Sequence, residues 1–238
     1  MISLLLTACG QKFPDIEPGT TAAAEIKYIA ADGQRKIGRF LYSVPPGYDP
    51  KTSSPLVVTL HGSGSHAMAF FELWKPVADS LGFILLTPQG DAPRPDGFGY
   101  TWGEDAEHLV QMTIDQVRKD AHVDEKRIYL TGFSAGGWQT WTLGLKYSHL
   151  FRGIGVLSSR FDARLILNAA SLNHEMRIFI GHGSLETELA RDSEEAVKLL
   201  IGQGFQVRHV VYEGIDHSLP EPKEKALIKI FRFLDTGE

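Results

Sequence analysis

Arg127-Ile-Tyr-Leu-Thr-Gly-Phe-Ser-Ala-Gly-Gly-Trp138 is the stretch that decides the predicted fold. The apolar run Ile128–Leu130 favours a strand, and residues Trp138–Tyr147 are compatible with a helix. Between them, Gly132-Phe-Ser-Ala-Gly136 has the G-x-S-x-G pattern of a sharp strand-to-helix turn, in which glycines allow close approach. We therefore predict that Ser134 is an exposed nucleophile at a helix N-terminus, where negative charge is favoured. The alternative is a tight turn that happens to hold a serine.

Outward from this turn, the chain alternates between predicted strands and helices. Compact apolar runs such as Pro55–Leu60 and Gly153–Leu157 are typical of strands buried on both faces of a sheet. The period of Glu104–Ala121 indicates an amphipathic helix, while Pro88–Gly103 is predicted to be a surface loop. Repeated strand–helix pairs predict an α/β fold: a mostly parallel sheet of about eight strands with helices on both faces. No insertion long enough for a cap domain follows Gly153–Leu157.

Composition excludes several classes of protein. The 238 residues are 43% hydrophobic and 22% charged, which is typical of a soluble globular protein with one large domain. A net charge of −5, with no run of Lys and Arg, argues against a nucleic-acid partner. The sequence contains no H-E-x-x-H motif and no paired Cys/His spacing, so a metal site is not predicted, and no cofactor is expected. Nothing in the sequence predicts the oligomeric state.

Residues 1–24 are predicted to be a leader and tether, followed by a folded domain at residues 25–238. Leu6-Thr-Ala-Cys9 resembles the lipobox of bacterial lipoproteins, in which the cysteine is lipidated. Cys9 is the only cysteine of the chain, so internal disulfides are excluded. Lipidation would make this a periplasmic or surface lipoprotein of the bacterial cell envelope, in contact with membrane through that lipid; otherwise we expect secretion. The alternative is an apolar tail, since the positive n-region of a complete signal is missing.

In a parallel sheet, functional residues gather at the carboxyl ends of the strands. The strand that ends at Leu60 is followed by His61-Gly-Ser-Gly64, whose glycines let backbone N–H groups point into a site. Acyl transfer needs such donors to stabilise an oxyanion. We predict the Ser63 N–H as the first donor, with Gly64 as its alternative, and the Ala135 N–H as the second. A plain glycine-rich turn is the other interpretation.

Two further strand ends supply candidates for an acid and a base. After the strand that ends at Ile180, a carboxylate would orient a histidine. Glu186 is favoured there by its spacing, and Glu188 competes with it; both could also be acids of a first helical turn. His217 follows the last strand and, among nine histidines, completes the chain order Ser, acid, His. It would take the serine proton and return it to the leaving alkoxide.

Motifs that cover most of the chain from about residue 35 are Pro45-Pro-Gly-Tyr48, Leu60-His-Gly62, Thr87-Pro-Gln-Gly90, Tyr100-Thr-Trp-Gly103, Val123–Gly137 and Asp216-His217. With them the chain resembles the α/β-hydrolase superfamily and is similar to polyhydroxybutyrate depolymerases and feruloyl or acetylxylan esterases. The resemblance implies Ser134 as nucleophile, His217 as base and an acid at Glu186. In this chain the acid is Glu where Asp is more usual, the stapling cysteines are absent, and Leu219 stands where an aromatic often lies.

These features predict a serine hydrolase that cleaves carboxylic esters through an acyl-enzyme intermediate with a Ser-Glu-His triad. The expected substrates are short-acyl, feruloyl, acetyl-sugar or polyester esters, free or linked to polysaccharide. A serine peptidase or lipase is one alternative, and a catalytically inactive surface binding module is another. Tyr100, Trp102 and Trp138, with Phe98, could form an aromatic platform for a sugar or phenolic ring; ordinary packing is the other interpretation.

Overall fold

The computed structural model describes residues 16–167 and 171–238, which form ten strands and six helices. The strands are β1 (Thr21–Ile29), β2 (Arg35–Ser43), β3 (Ser54–Leu60), β4 (Ile84–Pro88), β5 (Ala92–Pro93), β6 (Tyr100–Thr101), β7 (Val123–Phe133), β8 (Gly153–Leu157), β9 (Arg177–Gly183) and β10 (Gln206–Tyr212). The helices are α1 (Ala67–Leu81), α2 (Ala106–Asp120), α3 (Ala135–Lys146), α4 (Arg164–Leu167), α5 (Thr187–Gly202) and α6 (Lys223–Thr236).

Eight strands form one sheet in the order β1-β2-β4-β3-β7-β8-β9-β10. The six strands from β4 to β10 across the sheet run parallel, while β2 is antiparallel to both of its neighbours. This is the predicted α/β-hydrolase architecture, and the fold class is confirmed. Strands β5 and β6 form a separate two-stranded ribbon within the segment predicted to be a surface loop.

Side chains of the central strands alternate between two apolar cores, one on each face of the sheet. Leu56 and Val58 of β3 belong to the core that contains residues of α2, α3 and α5. Val57 between them belongs to the core formed with α1 and α6. Burial of each such side chain stabilises the fold by about 1.5–3 kcal/mol. Helices therefore cover both faces, as predicted.

The N-terminal edge of the sheet differs from the prediction. Strand β1 begins at Thr21, four residues before the predicted start of the domain at Glu25. Residues 21–24 pair in antiparallel register with residues 43–40 of β2. Three of these four residues are alanines, which have little strand propensity, so only the pairing with β2 makes them a strand. Cys9 lies outside the described residues, and its lipidation remains a prediction.

Only a short connection separates β8 from β9. Among its described residues, α4 is a helix of four residues, which is too small to form a cap domain. No described helix has both the length and the apolar character needed to span a bilayer. Within the described residues, no cap therefore covers the carboxyl edge of the parallel strands above β7 and β8.

Candidate active site

Ser134 occupies the turn between β7 and α3 in a strained backbone conformation. Its φ of 56° and ψ of −118° are unusual for a residue with a side chain, and such strain costs about 1–3 kcal/mol. The turn is held by close packing, because a Cβ on Gly136 would lie 2.2 Å from the Leu60 carbonyl oxygen. A Cβ on Gly132 would lie 2.2 Å from the Gly136 carbonyl oxygen. Only glycines allow β3, β7 and α3 to meet, which holds Ser134 at the apex.

Helix α3 begins directly after the serine, three residues before the predicted start at Trp138. Its first residues are Ala135, Gly136 and Gly137, and glycine is a poor helix former in isolation. Packing against the ends of β3 and β8 imposes the helix there, which local propensity does not predict. As a result, the Ala135 N–H is the first donor of the helix, beside the Ser134 hydroxyl.

Three predicted residues meet in one hydrogen-bonded chain. His217 Nε2 lies 2.8 Å from Ser134 Oγ, and His217 Nδ1 lies 2.6 Å from Glu186 Oε1. A carboxylate accepts, so Nδ1–H donates to Glu186 and leaves Nε2 to accept the serine proton. The Glu186 side chain is only 5% exposed, whereas the imidazole is half exposed. Such an arrangement can activate a hydroxyl as a nucleophile.

The second oxygen of Glu186 is held by groups from two strand ends. Glu186 Oε2 accepts the Gly183 N–H at 2.7 Å and the Ser158 hydroxyl at 2.8 Å. Both donors orient the carboxylate. Ser158 was not among the predicted site residues, although it directly follows β8. The strand-end rule that located the other candidates, applied to β8, would have found it.

Glu188, the competing acid, faces elsewhere. Its Oε2 accepts from Arg160 Nη2 at 2.6 Å, and both side chains are largely exposed. Glu186 precedes α5, while Glu188 lies in the first turn of that helix. Of the two carboxylates, only Glu186 contacts His217 in the described structure.

Gly183 allows the His217 loop to approach β9. A Cβ on Gly183 would lie 2.2 Å from the Ile215 carbonyl oxygen and 2.6 Å from that of Asp216. We therefore expect Gly183→Ala to destabilise the protein by about 1–3 kcal/mol, because backbone must move to admit the methyl group. The midpoint of urea unfolding measures this loss.

Gly202→Ala is the matched control for that substitution. A Cβ at Gly202 meets no heavy atom within 4 Å, and its backbone is not in the left-handed region. Alanine at the end of α5 should leave the midpoint unchanged or raise it slightly. Equal midpoints for both variants would contradict the proposed close approach.

Two of the three predicted backbone donors are unpaired. Neither the Ser63 N–H nor the Ala135 N–H donates to an acceptor within the described chain. The Gly64 N–H, the alternative, donates instead to the Tyr100 carbonyl at 3.0 Å. A Cβ on Gly62 would lie 3.3 Å from Ser134 Cβ, so this loop borders the serine. The unpaired groups can therefore donate to an oxygen bound beside Ser134.

The His61 side chain supports this loop through hydrogen bonds. The ring is buried, and its Nδ1–H donates to the Gly62 carbonyl at 2.8 Å. Its Nε2 accepts the Gly90 N–H at 3.0 Å, while Trp102 Nε1 donates to the His61 carbonyl at 2.7 Å. Burial lowers the pKa of His61, so the ring stays neutral. A neutral ring can donate from Nδ1 to Gly62 and accept at Nε2 from Gly90 at the same time.

A cleft of about 530 Å³ opens beside Ser134 and His217. Of the predicted aromatic platform, Trp102 and Trp138 line this cleft, but Tyr100 does not. The backbone of Tyr100 pairs instead with the loop at Gly64 and Ser65. Tyr100 thus lies apart from the cleft wall, and its role in substrate binding stays a prediction; Phe98 projects into solvent at the ribbon turn.

The other residues that line the cleft were not predicted; they are Gln139, Ser158, Ser159, Arg160 and Leu189. Most of them follow β8 or lie on α3, so the fold brings them to the serine from separate segments. Within the described residues, no three His, Cys, Asp or Glu side chains are grouped to hold a metal ion.

Parts of this sequence are similar to those of known proteins. A family model described as Phospholipase/Carboxylesterase matches residues 103–236, more than half of the chain. A bifunctional acetylxylan esterase/xylanase of Neocallimastix patriciarum is 36% identical over an alignment of 101 residues, and the match covers 37% of this chain and 13% of that protein. A probable feruloyl esterase C of Aspergillus flavus is 26% identical over 196 residues, 77% of this chain and 69% of that protein.

Among solved structures, the feruloyl esterase module of Clostridium thermocellum, an S954A mutant complexed with sinapinate, superposes with a TM-score of 0.68. The identity is 15%, and the match covers 90% of this chain and 88% of that module, so it supports the fold. The chain spans less than a third of the length of three of the relatives that it matches.

Proposed function

The chain belongs to the Phospholipase/Carboxylesterase family, and from this membership we propose that it is a serine hydrolase of carboxylic esters. The observation that supports this most directly is the hydrogen-bonded chain from Ser134 through His217 to Glu186. It lies beside two backbone N–H groups that have no acceptor among the described residues, at the edge of a cleft large enough for a small ester.

In the proposed first step, Ser134 Oγ attacks the ester carbonyl carbon while His217 Nε2 takes the hydroxyl proton. The Glu186 carboxylate, hydrogen-bonded to Nδ1–H, stabilises the imidazolium that forms. The carbonyl oxygen becomes an oxyanion that accepts hydrogen bonds from the Ser63 and Ala135 N–H groups. Because Ala135 begins α3, the helix dipole adds to this stabilisation.

The bond between the carbonyl carbon and the alkoxy oxygen then breaks, the imidazolium gives its proton to the leaving alkoxide, and the acyl group remains on Ser134. Water then attacks the acyl carbon while His217 Nε2 takes a water proton. The acid leaves when that proton passes to Ser134 Oγ. The exposed half of the imidazole allows water to reach it without a change in the protein.

The shape of the cleft and the relatives together suggest the substrate class. Trp102 and Trp138 form flat apolar walls, which suit an aromatic or short aliphatic group. The similar proteins named acetylxylan esterase and feruloyl esterase act on esters of those two kinds. We therefore propose acetyl and hydroxycinnamoyl esters, such as those of plant-polymer side groups, ahead of long-chain lipids or peptides.

Labelling with a fluorophosphonate probe, followed by peptide mass analysis, tests the proposal. We expect one label per chain on Ser134, and loss of p-nitrophenyl acetate hydrolysis in proportion to labelling. A panel of short acyl, feruloyl and acetyl-sugar esters, with a p-nitroanilide and a long-chain ester, then distinguishes an esterase from a peptidase or lipase. A protein that neither reacts with the probe nor hydrolyses any ester would be an inactive binding module, contrary to the proposal.

A further inference from the structure

One permanently charged side chain lines the cleft. Of the residues in its wall, all of them in the described part of the chain, only Arg160 stays cationic across the physiological pH range. It lies two residues after Ser158, whose hydroxyl binds the Glu186 carboxylate. The guanidinium therefore stands at the same edge of the sheet as Ser134, on a wall otherwise formed by aromatic, aliphatic and uncharged polar groups.

Arg160 has donors that no described residue fills. Its Nη2 donates to Glu188 Oε2, whereas its Nε and Nη1 have no acceptor within residues 16–167 and 171–238. The nearby Arg164 differs, because both its Nε and its Nη2 donate to the carboxylate of Asp162. A guanidinium fork with free donors matches the two oxygens of a carboxylate. Arg160 can thus bind a second acid.

The contact with Glu188 is easily exchanged. The side chains of Arg160 and Glu188 are 68% and 75% exposed, and ion pairs of that kind contribute little. Glu188 itself is not among the residues that line the cleft. A substrate carboxylate in the cleft would therefore meet the cation, while Glu188 competes for it from outside.

We propose that Arg160 recognises a carboxylate on the substrate, so that the cleft prefers esters whose acid or alcohol part carries a negative charge. Glu188 moderates this preference by sharing the guanidinium. The inference rests on the proposed function, since it concerns the same cleft and adds a substrate class to it.

Two pairs of esters test the inference with the whole 238-residue chain. The first pair, 4-acetoxybenzoate and 4-acetoxybenzamide, places a carboxylate or its neutral isostere on the alcohol side. The second pair, monomethyl terephthalate and methyl 4-carbamoylbenzoate, places it on the acyl side. The para position keeps the carboxylate from attacking its own ester. The measured quantity is the ratio of kcat/KM for the charged ester to that for the neutral ester, which cancels inherent reactivity when variants are compared.

We expect Arg160→Gln to lower this ratio about three- to fivefold in at least one pair, the effect of an ion pair made by a largely exposed arginine. Glu188→Gln should raise the same ratio, because it frees the guanidinium. Arg164→Gln is the matched control: it removes the same charge four residues away, from a side chain outside the cleft wall. Its ratio should equal that of the wild type.

Three results would overturn the inference. An unchanged ratio in Arg160→Gln for both pairs, with the neutral esters still hydrolysed, excludes carboxylate recognition and leaves the proposed function intact. An equal fall in Arg164→Gln shows a general effect of surface charge. Absence of all hydrolysis by the wild type, p-nitrophenyl acetate included, contradicts the proposed function and this inference with it.

Discussion

Ser134→Ala is expected to lower kcat for p-nitrophenyl acetate about 10⁶-fold, the loss seen when a serine hydrolase loses its nucleophile. The hydroxyl oxygen is the atom that would bond to the acyl group, and alanine has nothing to replace it. Stability should change little, since the side-chain oxygen contacts only His217 Nε2 among the described groups. Steady-state kinetics measure the first effect, and circular dichroism with urea unfolding measures the second.

Ser80→Ala provides the control for that experiment. Ser80 is exposed on α1, far along the chain from the site, so its loss tests whether removal of any serine hydroxyl affects the assay. We expect wild-type kinetics from it. Retention of more than a hundredth of the activity in Ser134→Ala, with the fold intact, would exclude Ser134 as the nucleophile.

Glu186→Gln has the second largest expected effect, a loss of about 10⁴ in kcat for the same ester. The amide cannot stabilise the imidazolium, and its NH₂ group can donate toward Nδ1 of His217, which imposes the wrong tautomer. The amide also faces two donors, the Gly183 N–H and the Ser158 hydroxyl, which a neutral oxygen accepts less strongly. Initial rates at several ester concentrations separate the fall in kcat from any change in KM.

Glu188→Gln is the matched substitution, because it removes the same charge two residues away. We expect Glu188→Gln to lower kcat for p-nitrophenyl acetate at most a few-fold, since Glu188 contacts Arg160 and not His217. The two variants therefore measure which carboxylate supports the histidine. A large loss in Glu188→Gln with near wild-type activity in Glu186→Gln would reverse the proposed assignment.

Elements with a strong local pattern were predicted well. Strands β3 and β8 lie buried between two helical layers, so both faces of each strand are apolar. Each strand therefore appears in the sequence as a continuous run of apolar residues. Helix α2 has one face on the core and one in water, which gives it the period of an amphipathic helix.

Elements whose conformation is imposed from outside were predicted poorly. The first turn of α3 contains two glycines and forms because it packs on β3 and β8. The start of β1 is rich in alanine and forms because it pairs with β2. In both cases the stabilising partner is distant along the chain, so the local residues carry no signal of it.

By itself the sequence determined the strand, turn and helix around Ser134 and the chain order that led to His217, because both are patterns of neighbouring residues or of strand order. Only the tertiary structure decided that Glu186 and not Glu188 contacts His217, and that the Gly64 N–H is paired while the Ser63 N–H has no acceptor among the described residues. The physical reason is that a hydrogen bond depends on which distant segment lies opposite a group. Groups that are one or two residues apart in the sequence are almost equally good candidates for the same hydrogen bond. Only the packing of the distant segment determines which of them makes it.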